Sequence, residues 1–409
     1  MKSPLKQFAL ILFGCVNIGR YKMLFTDGQR TDSSPKINRE SEFAFMDRSA
    51  RPEIERVRQF LEELVQGYPS EERAELTARI RSGDDTHFRS SVFELLLYAF
   101  LVRLGYSLRP HPELQNGSNA RPDFHVTAPT GEEFYLEAVL ASPNDGTNPA
   151  AEARISTTLD ALAKASHLNF MIAVEMEGVP LTQPSGARLR DAALAWLNTL
   201  DPDAVQAMID RHGLFAAPTF NSSHENWEVL LRAIPLKSER RGKATTLIGV
   251  LDGGGGITDE WTPIRNAIRF KGSKYGHLDK PFLIAVNFAS FHLDRIDEMQ
   301  ALYGQEQFHF SVQNPTGEPR FDRAPNGAWY GKNGPQAMRV SGAWLFNDLN
   351  PYSVASRRNT VYFNPWAAHR LPNVLERLPH AIGQDGEMSW YDGISLRQCF
   401  NFSEQWPER

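Results

Sequence analysis

The sequence predicts a mixed α/β protein, and three observations carry that expectation. A nearly all-apolar helix is written over 86–104, three strand-like segments follow between 106 and 140, and a helix and a strand complete the run by residue 175. The order helix, three strands, helix, strand suffices for one sheet with helices on its faces.

The long helix opens at Asp84-Asp85-Thr86, where a carboxylate can cap free N–H groups, and stops at Gly105. From Val92 to Val102 its only charge is Glu94, so the helix should be buried. Tyr106 to Leu114 alternates weakly and holds two prolines, which suits an edge. Arg121–Thr127 and Glu133–Leu140 flank the turn Pro129-Thr130-Gly131 and read as a hairpin. Ala150 to Lys164 places Ile155, Leu159 and Leu162 on one helical side, and Asn169–Glu175 is the expected fourth strand. Upstream, Ile54, Val57, Leu61 and Val65 mark a helix over 52–66, and Ser70 caps a short one.

Three domains are expected: an extension (1–45), a core with leading helices (46–180), and a C-terminal α/β region (181–409) that continues the sheet or stands apart. Lys2 and Lys6 precede Phe8–Cys15, where Leu12-Phe13-Gly14-Cys15 imitates a lipoprotein cleavage box behind a short apolar stretch. Residues 24–45 are polar and patternless. A flexible or mis-started extension is therefore expected, with a lipoprotein leader as the alternative. In the C-terminal half, Trp227–Ile234, Thr246–Val250, Ser341–Phe346 and Thr360–Phe363 read as strands, and 259–271 and 296–303 as helices. Pro281–Asn287 has the continuous apolar run of a strand buried on both faces. The glycine run 253–256 lacks the Gly-Lys-Ser/Thr ending of a phosphate loop.

With 409 residues, 41% hydrophobic, the chain can bury a large core, which excludes wholesale disorder. A net charge of −5 excludes a globally basic nucleic-acid coat while leaving room for a local basic groove. Two cysteines, Cys15 and Cys399, rule out a disulfide framework and a cysteine-rich zinc site and fit a reduced, cytoplasmic setting. No segment approaches the ~20 apolar residues of a membrane span.

The chemistry is expected from acids. A lone carboxylate inside an apolar helix is costly unless paired or bound to metal, which singles out Glu94. Asp123 and His125 share one face of the second strand, and Tyr135, Glu137 and Val139 one face of the third. In a hairpin, Asp123 and Glu137 can converge at its open end, with Glu94 reaching in from the helix. Such carboxylates would suit Mg²⁺ or Mn²⁺. Taken singly, each has an ordinary structural explanation; convergence is what the reading requires.

Pro122-Asp123, thirteen residues, then Glu137-Ala138-Val139 resembles the signature of the PD-(D/E)XK nuclease superfamily. The element order over 86–176 is similar to that family's restriction-endonuclease-like αβββαβ core, and a glutamate on the first helix recurs in several of its branches. The resemblance implies metal-dependent phosphodiester hydrolysis, with Glu94, Asp123 and Glu137 on the ion and a 5′-phosphate product. It also implies DNA as partner, and many nucleases of this type act as dimers, which leaves a homodimer open. The family's lysine is replaced by Val139. Lys164, Lys271 and Lys274 are the candidate substitutes, and His125 a candidate base or metal neighbour. Arg240, Arg241 and Lys243, with Arg265, Arg269, Lys271 and Lys274, could follow a phosphate backbone, and Trp261 and Tyr275 could stack on bases. Two alternatives stand beside the nuclease: an inactive nucleic-acid-binding or scaffolding relative, and an unrelated α/β interaction protein.

Overall fold

The computed structural model describes residues 23–142, 149–243, 245–252, 260–290, 293–309, 320–384 and 387–408. Helices α1 (Glu42–Arg48), α2 (Pro52–Gly67), α3 (Arg73–Ile80) and α4 (Asp85–Arg103) lead into β1 (Ser107–Pro110), β2 (Phe124–Thr127) and β3 (Glu133–Ala141). Next come α5 (Pro149–Ala163), β4 (Phe170–Glu177), α6 (Gly186–Leu197), α7 (Pro202–His212), β5 (Thr219–His224), β6 (Trp227–Pro235) and β7 (Ile248–Asp252). The chain continues through α8 (Trp261–Lys274), β8 (Phe282–Phe288), α9 (Arg295–Tyr303), β9 (Gly342–Asn347), β10 (Asn359–Phe363), β11 (His380–Gln384), β12 (Glu387–Tyr391) and α10 (Leu396–Phe400).

A central sheet runs β1-β2-β3-β8-β9-β10-β11-β12. β1, β2 and β3 form an antiparallel meander, and β8 lies parallel to both β3 and β9. Every residue of β8 is buried, because helices cover both faces of the sheet there. Phe134 and Leu136 of β3 face the layer of α2 and α4, while Tyr135 and Ala141 face α8 and α9. α4 begins where Asp84 accepts from the N–H groups of Thr86 and His87, and it buries residues around most of its circumference, Glu94 included. The outcome is a mixed α/β architecture, a central sheet flanked by helices, with a C-terminal extension of four strands beyond β8.

The fourth strand is not the one expected. Asn169–Glu175 lies in β4, within a separate sheet of order β5-β6-β4-β7. That sheet has its own core of Leu159, Leu162, Phe170, Trp227 and Leu231. Residues 149–252 are thus an insertion between β3 and α8, and the strand that completes the core beside β3 is β8. Alternation and length announce a strand but not the sheet it joins.

The expectation for residues 24–45 is also corrected. Leu24 and Phe25 are buried with α2 and α4, and the Leu24 N–H donates to the Glu62 carboxylate at 2.9 Å. Phe25 stacks on Phe43 with ring centroids 5.4 Å apart. Further on, Arg39 and the Asn38 N–H bind the buried Asp160 of α5 at 2.8 and 2.6 Å, tying this segment to the insertion. The short apolar run Met23-Leu24-Phe25 ahead of a polar stretch produces no periodicity, which is why the sequence hid it. The lipoprotein-like segment lies outside the described residues. Phe25→Ala should therefore lower unfolding stability by about 3 kcal/mol, read from urea denaturation; an unchanged midpoint would place the segment outside the core.

Candidate functional site

Strand register assembles the site. β1 pairs β2 with Pro110 opposite Phe124, and β2 pairs β3 with Phe124 opposite Leu136. One step further, just past the end of β1 and just before β2, His111 and Asp123 line up with Glu137 of β3, and the His111 N–H donates to the Asp123 carbonyl at 3.0 Å.

Glu137 is 1% exposed and points to the α8 side. Its Oε1 takes the Lys271 ammonium at 2.5 Å, with Lys274 at 3.6 Å, and its Oε2 accepts the Tyr275 hydroxyl. Lys271 and Tyr275 are one turn apart at the end of α8, so a single helical side delivers both. Glu94 is resolved in the same way from the other layer. Its Oε1 accepts the Tyr68 hydroxyl and its Oε2 pairs with Arg79, both at 2.8 Å. Burial, followed by the neighbouring carboxylate, holds the phenols of Tyr68 and Tyr275 far above their ordinary range, so both act as donors.

Asp123 differs. Its Oδ2 accepts the Ala138 N–H at 2.6 Å, and no ion pair reaches it among the described residues. Burial, then the charges of Glu137 and Glu94, push its carboxyl up to about 8, against the pull of the Ala138 N–H and Lys271. The row is short of positive charge at this residue.

The expected cage of three carboxylates is not formed. Among the described residues, the group whose ligand atoms all lie within 4.8 Å of one another is Glu72, Glu75 and His111, and Glu94, Asp123 and Glu137 are not such a group. Tyr68 and Arg79 draw Glu94 into one layer while α8 draws Glu137 into the other. Glu72 and Glu75 sit three apart on α3 and its N-cap, and His111 stands beside Asp123 in the row. This half-exposed group could hold a divalent cation.

The other expected residues are dispersed. Lys164 is exposed just past α5 on the insertion, and the cations at Glu137 come from α8. His125 faces Glu133, 3.4 Å away, and the ring of Tyr135. Arg240 and Lys243 are exposed on the insertion, where Arg241 binds Asp203 and the Leu236 carbonyl. Arg265 and Arg269 bind the carbonyls of Asn326 and Gly327, and Arg265 also covers Trp261. Of the basic set, Lys271 and Lys274 reach the acids. Tyr275, expected to stack on bases, is buried against Glu137. The sequence reading missed Tyr68 and Arg79, and it missed Glu72 and Glu75, whose three-residue spacing was the available signal.

Compared with family models, curated proteins and solved structures, the chain finds no match. What fold and site define is an α/β protein with the means to bind a divalent metal, which is compatible with metal-dependent catalysis in general. No helix among the described residues is long and apolar enough to cross a membrane.

Two outcomes follow from these environments. Zn²⁺, used as a calorimetric probe, should bind wild type and lose at least tenfold in affinity in His111→Ala; equal affinities would reject the Glu72/Glu75/His111 group. In chelated protein, Asp123 keeps its proton to about pH 8 when folded but only to about 3.8 when unfolded. Wild type should therefore lose stability relative to Asp123→Asn as pH rises across that window, by on the order of 2 kcal/mol for a partly exposed carboxyl. Parallel stability profiles would contradict this.

Proposed function

We propose that the chain is a divalent-metal-dependent phosphodiester hydrolase of the PD-(D/E)XK nuclease kind, with DNA as its partner. The observation that carries this reading is the row Asp123–Glu137 with Lys271 set against it. Val139 stands where the family has its lysine, and α8 supplies an ammonium at Glu137 instead.

The residues present fit a hard cation. Asp123, just before β2, and Glu137, in the adjacent β3, are oxygen donors, and the raised Asp123 carboxyl marks a place where added positive charge is favoured. Mg²⁺ commonly takes one or two protein carboxylates and keeps waters for the rest, so Asp123 and Glu137 would hold it without Glu94. When bound, Mg²⁺ or Mn²⁺ would supply Lewis-acid polarisation of a phosphoryl oxygen and a water of lowered pKa. Tyr275 fixes the Glu137 carboxylate from one side, and the Ala138 N–H orients Asp123. Lys271 is placed to share its charge between Glu137 and an incoming phosphate, steadying negative charge as it grows. Glu94, through Arg79 and Tyr68, is a structural neighbour that sets the potential at Asp123.

One observation favours a second reading. Both oxygens of Glu137 are already engaged by Lys271 and Tyr275. A relative that has replaced its metal by an internal ammonium would bind nucleic acid without cleaving it. Plasmid nicking separates the two. Wild type should nick in Mg²⁺ or Mn²⁺ and stop in EDTA, with Asp123→Asn and Lys271→Ala each reduced about 100-fold or more. Equal nicking by wild type and Asp123→Asn would remove the hydrolase reading.

A further inference from the structure

Helix α8 presents three sides. Ile264 and Ile268 are buried against the sheet, as is Tyr275 at the helix end. Arg265 and Arg269 turn toward Asn326 and Gly327, whose carbonyls they bind. At 100° per residue, the third side carries Phe270 and Lys274, with Lys271 at its border with the buried side.

Phe270 is 70% exposed, next in the chain to the lysine that faces Glu137. It lies four residues before Lys274, so the two side chains adjoin on the helix surface. The Lys274 ammonium is 3.6 Å from Glu137 and lies over the Tyr275 ring at 5.0 Å from its centroid. Two ammonium groups thus stand at one Glu137 carboxylate, and the Lys274 side chain is 39% exposed at the mouth of the acid row. An isolated apolar side chain on a surface is ordinary. One that adjoins two lysines at the edge of a candidate hydrolytic site has the composition of a strand-binding surface, an aromatic face beside phosphate-binding charge.

We propose that this stripe binds an unpaired polynucleotide strand, one base stacking on Phe270 while adjacent phosphates meet Lys274 and Lys271. The inference rests on the nucleic-acid reading above and narrows its substrate to single-stranded or splayed segments. A paired base has both faces covered by its neighbours, so a protruding phenyl ring engages only a base that has left the stack.

The test is fluorescence anisotropy with a short labelled oligodeoxynucleotide, single-stranded and as its duplex, in EDTA so that nothing is cleaved. Phe270→Ala should weaken single-strand binding about fivefold or more and change duplex binding less than twofold. Phe270→Trp should restore single-strand binding, and the melting temperature should stay put because the ring is exposed. Unchanged single-strand affinity, an equal loss on both forms, or no binding of either form overturns the proposal. Asp123-dependent cleavage of the single-stranded oligodeoxynucleotide in Mg²⁺ that ignores Phe270 would sink this stripe alone. Phe270-dependent binding with no cleavage of either the single strand or plasmid in Mg²⁺ would sink the hydrolase reading alone.

Discussion

Burying the Glu137 carboxylate is the constraint around which the rest of this structure is arranged. An ionised carboxylate inside a sheet must gain an opposite charge and hydrogen bonds or give up its charge. Here Lys271 and Tyr275 answer that demand from 134 and 138 residues away, which obliges α8 to return to β3 after the whole insertion. The same solution appears at two other buried glutamates. Glu94 has Tyr68 and Arg79, and Glu298 has Tyr362 and Arg358 at 2.5 and 2.8 Å. Each time one oxygen takes a phenol and the other a cation. Among the described residues Asp123, in the row with Glu137, has a backbone N–H and no cation, and that contrast gives the row its chemical interest.

Much of the first half could be read from the chain. The buried helix with its aspartate cap, the hairpin and the isolation of Glu94 follow from period, turn chemistry and the cost of buried charge. What could not be read was partnership at long range. Asn169–Glu175 has every mark of a core strand, yet its partners are in the insertion. The true neighbour of β3 had a visible signal, since Pro281–Asn287 is apolar on both faces as a central parallel strand must be. Choosing between the two strands required knowing where the insertion closes, and local patterns are silent on that.

The site was legible to a similar degree. Its acids could be named because charge in an apolar setting is conspicuous. Their compensation could not, because Arg79, Tyr68 and Tyr275 look like ordinary residues of surface helices. Lys271 was visible as one cation among seven. The structure distinguishes it by the direction of its helix face, which sends Arg265 and Arg269 to backbone carbonyls and Lys271 to Glu137. His111 shows the limit most clearly. It lies 36 residues past Glu75 in number, and strand register, not sequence, sets it beside both Asp123 and α3.

Glu137 and Lys271 hold β3 and α8 together as a buried, mutually dependent pair. A double-mutant cycle with Glu137→Gln, Lys271→Met and the combined variant, followed by urea unfolding, measures that dependence directly. Each single change should be more harmful than the pair removed together, with a coupling on the order of 2–3 kcal/mol. Additive effects would contradict it and leave the carboxylate row without the interaction on which its position is argued to rest.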